Sequence, residues 1–344
     1  MDQPALDNPT DFIAQPQTLL DKDGDKLVVL VKATLELEQD GALEVAPKGR
    51  RRGIRSADVP WGDPEKSSIL YPADLCIRKP GTDVIVVARG YAPGRKPVTS
   101  FDVAVRVGPV RKTLRVFGLR VWQAGGNGLS PPRPITEIDL RYDHAWGGID
   151  ASDPARIVEE PRNPVGLGIT GDPSSLTHQP APSIEDPAHP IVTARTRPAP
   201  AGIGAIGRHW EPRRKYLGTY DARWLEQRAP LAPLDQDDRH NLCATPDLVA
   251  TPPLVGGEDV ALLNLVPGGG TTVFQLLKLG VAIEFRVKGR PPEVLLPHLD
   301  TVLIDLLPTV PVRPIIIEYV WRAAIQPPRR MKDVRIRVRE REVR

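Results

Sequence analysis

The chain has 344 residues and a formal net charge of +3; 40% of its residues are hydrophobic and 26% are charged. This composition is typical of a soluble folded protein that buries its own core, and it excludes wholesale disorder. No run approaches the roughly 18 apolar residues that a membrane-spanning helix needs, and the acidic N-terminus does not resemble a secretory signal, so we expect a cytoplasmic protein without a membrane partner.

The first part of the chain carries patterns typical of β-strands. Residues 27–37 and 83–90 are rich in β-branched and apolar side chains, and residues 101–107 alternate apolar with polar. A turn at Gly108-Pro109 and a return over residues 113–122 complete a predicted hairpin.

Proline dominates the middle of the chain, where 16 of the 39 prolines lie between Pro131 and Pro233. Each proline removes a backbone donor and disfavours helix interiors and central strands. The same stretch holds tryptophans and tyrosines, which disordered linkers generally lack. We therefore predict an irregular but ordered region with few short helices, one of them over residues 221–229, capped by Asp221 and stopped by Pro230.

Strand-length apolar runs return after the proline-rich region, at residues 260–265, 272–277, 281–287, 301–306 and 315–322. Short strands separated by turns favour a mainly β fold with antiparallel sheets, arranged like a sandwich or a barrel. We predict one unit over residues 1–325: β-rich over 18–150, irregular over 151–257 and β-rich again over 258–325.

The C-terminal residues 326–344 form a basic tail. They contain eight Lys or Arg and three Asp or Glu, a net charge of 8 − 3 = +5, so the other residues sum to 3 − 5 = −2. Within the tail, residues 334–339 alternate strictly between apolar residues and arginine. Two interpretations remain open: an edge strand with its arginines outward, or a disordered extension that contacts an acidic partner.

Two glycine-rich segments resemble nucleotide-binding motifs only superficially. Gly202 to Gly207 matches GxGxxG, but prolines occupy the flanks where a strand and a helix should lie, so we interpret it as a flexible loop. The segment from Gly268 to Thr272 lacks the lysine of a phosphate-binding loop, and we predict that it is a turn between strands. The sequence predicts no bound cofactor.

Asp235, Asp237 and Asp238 form the densest acidic cluster, followed by Arg239 and His240. Paired carboxylates can serve a hydrolase that acts on a carbohydrate or a peptidoglycan fragment, or they can hold a hard cation. Such runs are more often solvated turns. Because no histidines have helical i, i+4 spacing and Cys76 and Cys243 are too few for a zinc site, we expect no metal and no catalytic residue.

A second basic run extends from Lys48 to Arg55. Its simplest interpretation is an exposed loop; the alternative is an electrostatic contact with an acidic partner or nucleic acid. Because the body of the chain is slightly acidic, its charge alone does not predict a nucleic-acid-binding surface, and we expect no nucleic-acid partner.

Nine short motifs occur in an order that resembles the DUF2169 family, found with bacterial type VI secretion systems. They are VKAT (31–34), YPADL (71–75), KPGTDV (79–84), GYAP (90–93), GLRVW (118–122), AWGGID (145–150), NPVGLG (163–168), WEPR (210–213) and GTYDARW (218–224). The chain departs from this pattern at Leu234-Asp235, where Asp-Phe is expected, and in its basic tail.

The resemblance implies a non-enzymatic adaptor, or effector chaperone, which binds a type VI effector and helps to load it onto the VgrG or PAAR spike. It marks a set of motif residues that either brace the irregular fold or contact a partner: Lys32, Lys79, Asp83, Trp122, Trp146, Gly147, Gly148, Asn163, Pro164, Gly166, Trp210, Arg213, Gly218, Thr219, Tyr220, Asp221 and Trp224. We expect most of them to be structural, and any contiguous exposed aromatic surface to be the binding site. The alternative is the hydrolase based on the aspartate cluster.

Overall fold

A computed structural model describes residues 4–307, 314–328, 330–331 and 334–342. These residues form 24 strands: β1 Ala5–Asp7, β2 Ile13–Asp21, β3 Gly24–Leu37, β4 Leu43–Val45, β5 Val59–Pro60, β6 Ile69–Tyr71, β7 Thr82–Val87, β8 Arg89–Tyr91, β9 Ser100–Val107, β10 Val110–Phe117, β11 Glu137–Asp139, β12 Trp146–Gly147, β13 Ile149–Asp150, β14 Val158–Glu159, β15 Leu167–Gly168, β16 Ile184–Glu185, β17 Val249–Ala250, β18 Asp259–Leu263, β19 Thr271–Gln275, β20 Gly280–Val287, β21 Glu293–Leu295, β22 Thr301–Asp305, β23 Ile315–Ile325 and β24 Val334–Arg341.

Helical structure is sparse in the described residues. The single α-helix, α1, spans Ala222–Gln227. Short 3-10 turns are found at Lys48–Arg50, Pro93–Arg95, Ala124–Gly126, Tyr142–His144, Pro173–Leu176, Arg214–Tyr216, Asp238–Asn241 and Pro246–Leu248. The prediction of a mainly β fold with antiparallel sheets and few short helices is confirmed, and none of the described sheets closes into a barrel.

The largest sheet has seven strands in the order β17-β7-β22-β23-β3-β2, with β4 pairing beside β3. All its pairs are antiparallel except β7 with β22. Strands β3 and β23 are its long central members, and almost every side chain of both is buried. Both faces are therefore covered, which explains why these strands read as continuous apolar runs.

A five-stranded antiparallel sheet has the order β16-β10-β9-β18-β19. The predicted hairpin is confirmed: Val107 of β9 pairs with Val110 of β10 across the Gly108-Pro109 turn. Its second strand runs over Val110–Phe117, earlier than the predicted 113–122. Alternate residues of β9 point into the core, as the sequence pattern predicts.

The basic tail is part of a third sheet, in the order β1-β24-β20-β21. Strand β24 pairs in parallel with β1 and antiparallel with β20. The interpretation as a disordered extension is therefore wrong for residues 334–341. The predicted strand with outward arginines is correct, but β24 is paired along part of the side that would otherwise be an edge. The three-residue strand β1 covers only residues 335–337 on that side.

The two β-rich parts of the chain share one hydrophobic core. A single cluster of buried side chains includes Val29 and Val84 from the first part and Ile283, Ile317 and Ile336 from the second. Two smaller clusters lie under the proline-rich region, one around Trp122 and Trp146 and the other around Tyr142 and Trp210. The middle of the chain is therefore irregular in backbone but packed on its own apolar side chains.

The segment from Gly202 to Gly207 does not behave as the flexible loop that we predicted. Ile203, Ala205 and Ile206 are almost completely buried. The carbonyl of Ile203 accepts a hydrogen bond from the backbone N–H of Val86, at 2.9 Å. The prediction of a loop without helix is correct, but the segment is a buried extended connection.

Candidate interaction surface

Lys32 is fully buried in an ionic network at the centre of the seven-stranded sheet. Its Nζ lies 2.9 Å from Asp74 and 2.8 Å from Glu318. The guanidinium of Arg55 lies 2.6 Å from the same Glu318 carboxylate. Burial acts to raise the pKa of Glu318, but the charges of Lys32 and Arg55 hold this pKa at about 2. Lys32 therefore crosslinks buried segments and offers no surface to a partner.

This network makes stability depend on pH in a defined direction. The pKa of Glu318 falls from an ordinary value of 4.5 to about 2 in the folded protein, so its charged form stabilises the fold above pH 4.5. That contribution, about 3 kcal/mol for a shift of this size, is lost as the pH falls through about 2. We expect the urea midpoint to drop between pH 4.5 and pH 2.5, and to drop less in E318Q. An equal drop in both proteins would contradict the assignment.

Lys79 and Asp83 form a second buried pair, with Lys79 Nζ 2.6 Å from the carboxylate. Lys79 also donates to Thr301 Oγ1 at 2.9 Å, while Asp83 accepts from the backbone N–H groups of Cys243 and Ala244 at 2.8 and 3.1 Å. Burial opposes the charge of Lys79, but Asp83 raises the pKa above its ordinary value. A lysine that stays protonated is not suited to act as a base or nucleophile.

Trp122 and Trp146 are buried at the centre of the second hydrophobic cluster, where they pack with Ile169. Asn163 is also buried and ties this region together. Its Nδ2 donates to the backbone carbonyls of Tyr142 and Trp146, at 2.9 and 3.0 Å. These motif residues brace the irregular middle of the chain.

Gly147 and Gly148 allow the chain to pass close to the turn that begins at Pro164. A Cβ on Gly147 would lie 2.2 Å from the carbonyl oxygen of Asn163. Gly148 has a φ of 107°, and a Cβ there would lie 2.6 Å from the carbonyl oxygen of Gly166. Glycine is therefore required at both positions by sterics.

Trp210 and Arg213 are also buried and structural. Trp210 makes an edge-to-face contact with Tyr142, with ring centroids 5.7 Å apart. Arg213 donates to the backbone carbonyls of Ile206 and His240, at 2.7 and 3.0 Å. The motif over residues 210–213 thus connects the irregular segments around Tyr142, Ile206 and His240.

The motif over residues 218–224 is the most exposed of the nine, although Leu119 and Ile149 of two other motifs also reach the surface. It lies in an exposed segment, residues 216–239, which we call the aromatic lobe. Tyr220 and Trp224 pack with ring centroids 4.5 Å apart, and 49% of Tyr220 remains exposed. Leu225 and Leu234 are 66% and 69% exposed. These exposed aromatic and leucine side chains make the lobe the candidate interaction surface.

Local hydrogen bonds hold the aromatic lobe in one conformation. Asp221 caps α1 by accepting from the backbone N–H of Trp224 at 2.7 Å, as its position before the helix predicts. Trp224 Nε1 donates to the carbonyl of Leu231 at 2.9 Å. Arg228 donates to the carbonyl of Lys22, which connects the lobe to the β2–β3 turn. A braced surface of this kind loses little conformational entropy on binding.

The aspartate cluster has a structural use in the same lobe. Asp235 accepts from the Thr219 hydroxyl at 2.7 Å, and these hydrogen bonds lower the pKa of Asp235. Hydrogen bonds from Arg239 hold the pKa of Asp237 at about 2. Asp238 pairs with Arg78 at 2.6 Å. A catalytic acid needs a raised pKa, so this geometry favours turn and capping roles.

Gly218 has a φ of 87° at the turn where the GTYDARW motif begins. An open groove of about 590 Å³ lies next to the segment that precedes the lobe. Its lining includes Pro212 and Lys215 of that segment, together with Tyr142, Pro161 and Pro246. Leu225 and Leu234 are absent from the candidate residues that the sequence predicted. The available signal was four leucines in a stretch otherwise rich in Arg, Asp and Pro, but only the structure shows that Leu225 and Leu234 are the exposed ones.

The basic run from Lys48 to Arg55 is partly exposed, as predicted, but the fold pairs its arginines with carboxylates. Arg50 pairs with Glu36 at 2.6 Å, and Arg51 pairs with Asp11 at 2.6 Å. Arg52 lies 2.8 Å from Asp305. Because these arginines already face carboxylates, little of their charge is available to an anionic partner.

A family model described as "Uncharacterized protein conserved in bacteria (DUF2169)" matches residues 22–310. No curated protein and no solved structure matches the chain. In the part of the chain that the structure describes, no group of three or more His, Cys, Asp or Glu side chains is arranged to hold a metal ion. No helix of the described residues has the length and apolar character needed to cross a membrane.

Proposed function

The chain belongs to the DUF2169 family, and from this premise we propose that it is a non-enzymatic adaptor for a type VI secretion effector. In this proposal the protein binds the effector in the cytoplasm of the producing cell, stabilises it and assists its loading onto the VgrG or PAAR spike. The observation that carries the proposal is the aromatic lobe: its motif exposes five consecutive residues, 219–223, whereas the other family motifs expose single residues.

The lobe would act by binding, without chemistry. Tyrosine and tryptophan are the residue types that dominate interface hot spots, and here they pack on each other in a segment that also exposes Leu225 and Leu234. A protein that binds the loading-competent state of an effector stabilises that state by mass action. The aspartates of the lobe support this role by fixing its turns.

The first experiment is a tagged pull-down from cells that co-express the product of the neighbouring gene. A stoichiometric partner that becomes insoluble or degraded without this chain supports the proposal. A partnerless protein that hydrolyses peptidoglycan fragments, and loses that activity in D237N, would favour the hydrolase instead.

Replacing Tyr220 and Leu225 with alanine should weaken capture of that partner at least about tenfold, because two exposed apolar anchors are removed. The measurement is a titration of the purified partner, with circular dichroism to check the fold. The matched control replaces Ile157 and Val192 with alanine, since these side chains are 61% and 62% exposed outside the lobe. Equal weakening by both double variants would remove the lobe as the binding surface.

A further inference from the structure

The sheet formed by β1, β24, β20 and β21 has one buried and one exposed face. On β24, Val334, Ile336 and Val338 point into the core. Arg335, Arg337 and Arg339 therefore point outward, and they are exposed. Residues two apart on a strand lie about 6.8 Å from each other, so the Cα atoms of these three arginines form an evenly spaced row.

The neighbouring strand adds a fourth cation to this face. Arg286 of β20 lies directly opposite Arg335 in the antiparallel register, and like charges in that position destabilise a sheet. The turn that follows β20 carries two more exposed cations, Lys288 and Arg290. We call Arg286, Arg335, Arg337 and Arg339 the arginine face.

Two carboxylates of the described residues pair with the arginine face. Glu284 lies 2.5 Å from Arg286 and 2.7 Å from Arg339, so one negative charge serves two arginines. Asp7 lies 3.2 Å from Arg337. Four positive and two negative charges leave this face with 4 − 2 = +2 before the cations of the turn are counted.

Glu284 and Asp7 neutralise only half of the positive charge of the arginine face, although three of its four arginines pair with them. Over the whole of residues 326–344 the net charge is +5, with every acidic residue included, whereas the rest of the chain sums to −2. The basic run at residues 48–55 shows the opposite arrangement, because its arginines are matched by carboxylates. Excess charge that the fold does not neutralise fits a partner of opposite charge.

We propose that the arginine face binds an acidic extended segment of a partner protein. An extended segment with Asp or Glu at alternate positions repeats its carboxylates at the same spacing as the arginines of β24. Guanidinium groups bind carboxylates through paired hydrogen bonds. A nucleic acid is less favoured, since the negative remainder of the chain repels a long polyanion. The identity of the partner as an effector rests on the proposed function; the binding chemistry does not.

The test uses the full chain and a fluorescein-labelled octapeptide of alternating Glu and Ser, followed by fluorescence anisotropy. The octapeptide of alternating Gln and Ser reports binding that does not need charge. We expect binding of the acidic peptide alone, and a loss of about fivefold or more in the variant R286Q/R335Q. Both side chains are exposed, so the variant should fold.

The matched control is R106Q/R111Q, because Arg106 and Arg111 form another exposed, directly opposed arginine pair on β9 and β10. This control removes the same charge from an exposed position of a different sheet. Equal loss of binding in both variants, or no binding by the unmodified chain, would overturn the proposal. Tighter binding of a short single-stranded oligonucleotide than of the acidic peptide would overturn it in favour of nucleic acid.

This outcome is separable from that of the proposed function. The peptide assay contains no effector, so a failed pull-down with intact peptide binding removes the effector role and leaves the acidic-segment site. A successful pull-down that R286Q/R335Q does not weaken, together with no peptide binding, leaves the adaptor role and removes the arginine face.

Discussion

Replacing Lys32 with methionine is expected to lower the free energy of unfolding by about 3–5 kcal/mol. The ammonium lies within 2.9 Å of both Asp74 and Glu318, and all three side chains are buried. Methionine has a similar shape but leaves two buried carboxylates short of a cation. Arg55 still faces Glu318, which limits the loss without removing it.

Urea unfolding followed by circular dichroism at pH 7 measures this loss. The control is R337Q, which breaks the exposed pair with Asp7 and should change stability by a small fraction of that amount. If K32M were as stable as R337Q, the buried network would not hold the seven-stranded sheet together. Because the network is internal, K32M should retain partner binding in proportion to the folded fraction.

Replacing Trp146 with alanine is expected to cost about 3–5 kcal/mol through lost burial and an unfilled cavity. Its ring is 2% exposed and packs within the cluster around Trp122 and Ile169. The turn held by Asn163 is next to this ring, so hydrogen exchange should rise first in the irregular middle of the chain.

Trp224 provides a matched control, because it is the same residue type in the aromatic lobe. W224A should cost less stability than W146A but should weaken partner capture, since Trp224 supports the exposed ring of Tyr220. Urea unfolding and the partner titration measure the two effects separately. Loss of capture in W146A without loss of stability, or the reverse pattern in W224A, would contradict this division between bracing and binding.

Most of the longer strands of this protein were predictable from local patterns, but β2 and the two- and three-residue strands were not. The alternation over residues 101–107 and the Gly108-Pro109 turn define one hairpin, and the apolar run at residues 301–306 corresponds to a strand buried on both faces. The short helix was predicted by its Asp221 cap and the proline after it. These signals are local, because side-chain alternation, capping and proline geometry involve neighbours in the chain.

The sequence alone also determined the family, through nine motifs in order, but it left the role of each motif residue open. Lys32 and the alternating arginines of β24 look equally polar in one dimension. In the folded chain Lys32 is buried, because Glu318, which lies far away in the sequence, neutralises it from the neighbouring strand β23. The arginines of β24 are exposed, because they occupy the alternate positions of that strand that face away from the core. Whether a charged or aromatic side chain is a brace or a binding surface depends on long-range partners, and only the folded chain brings those partners together.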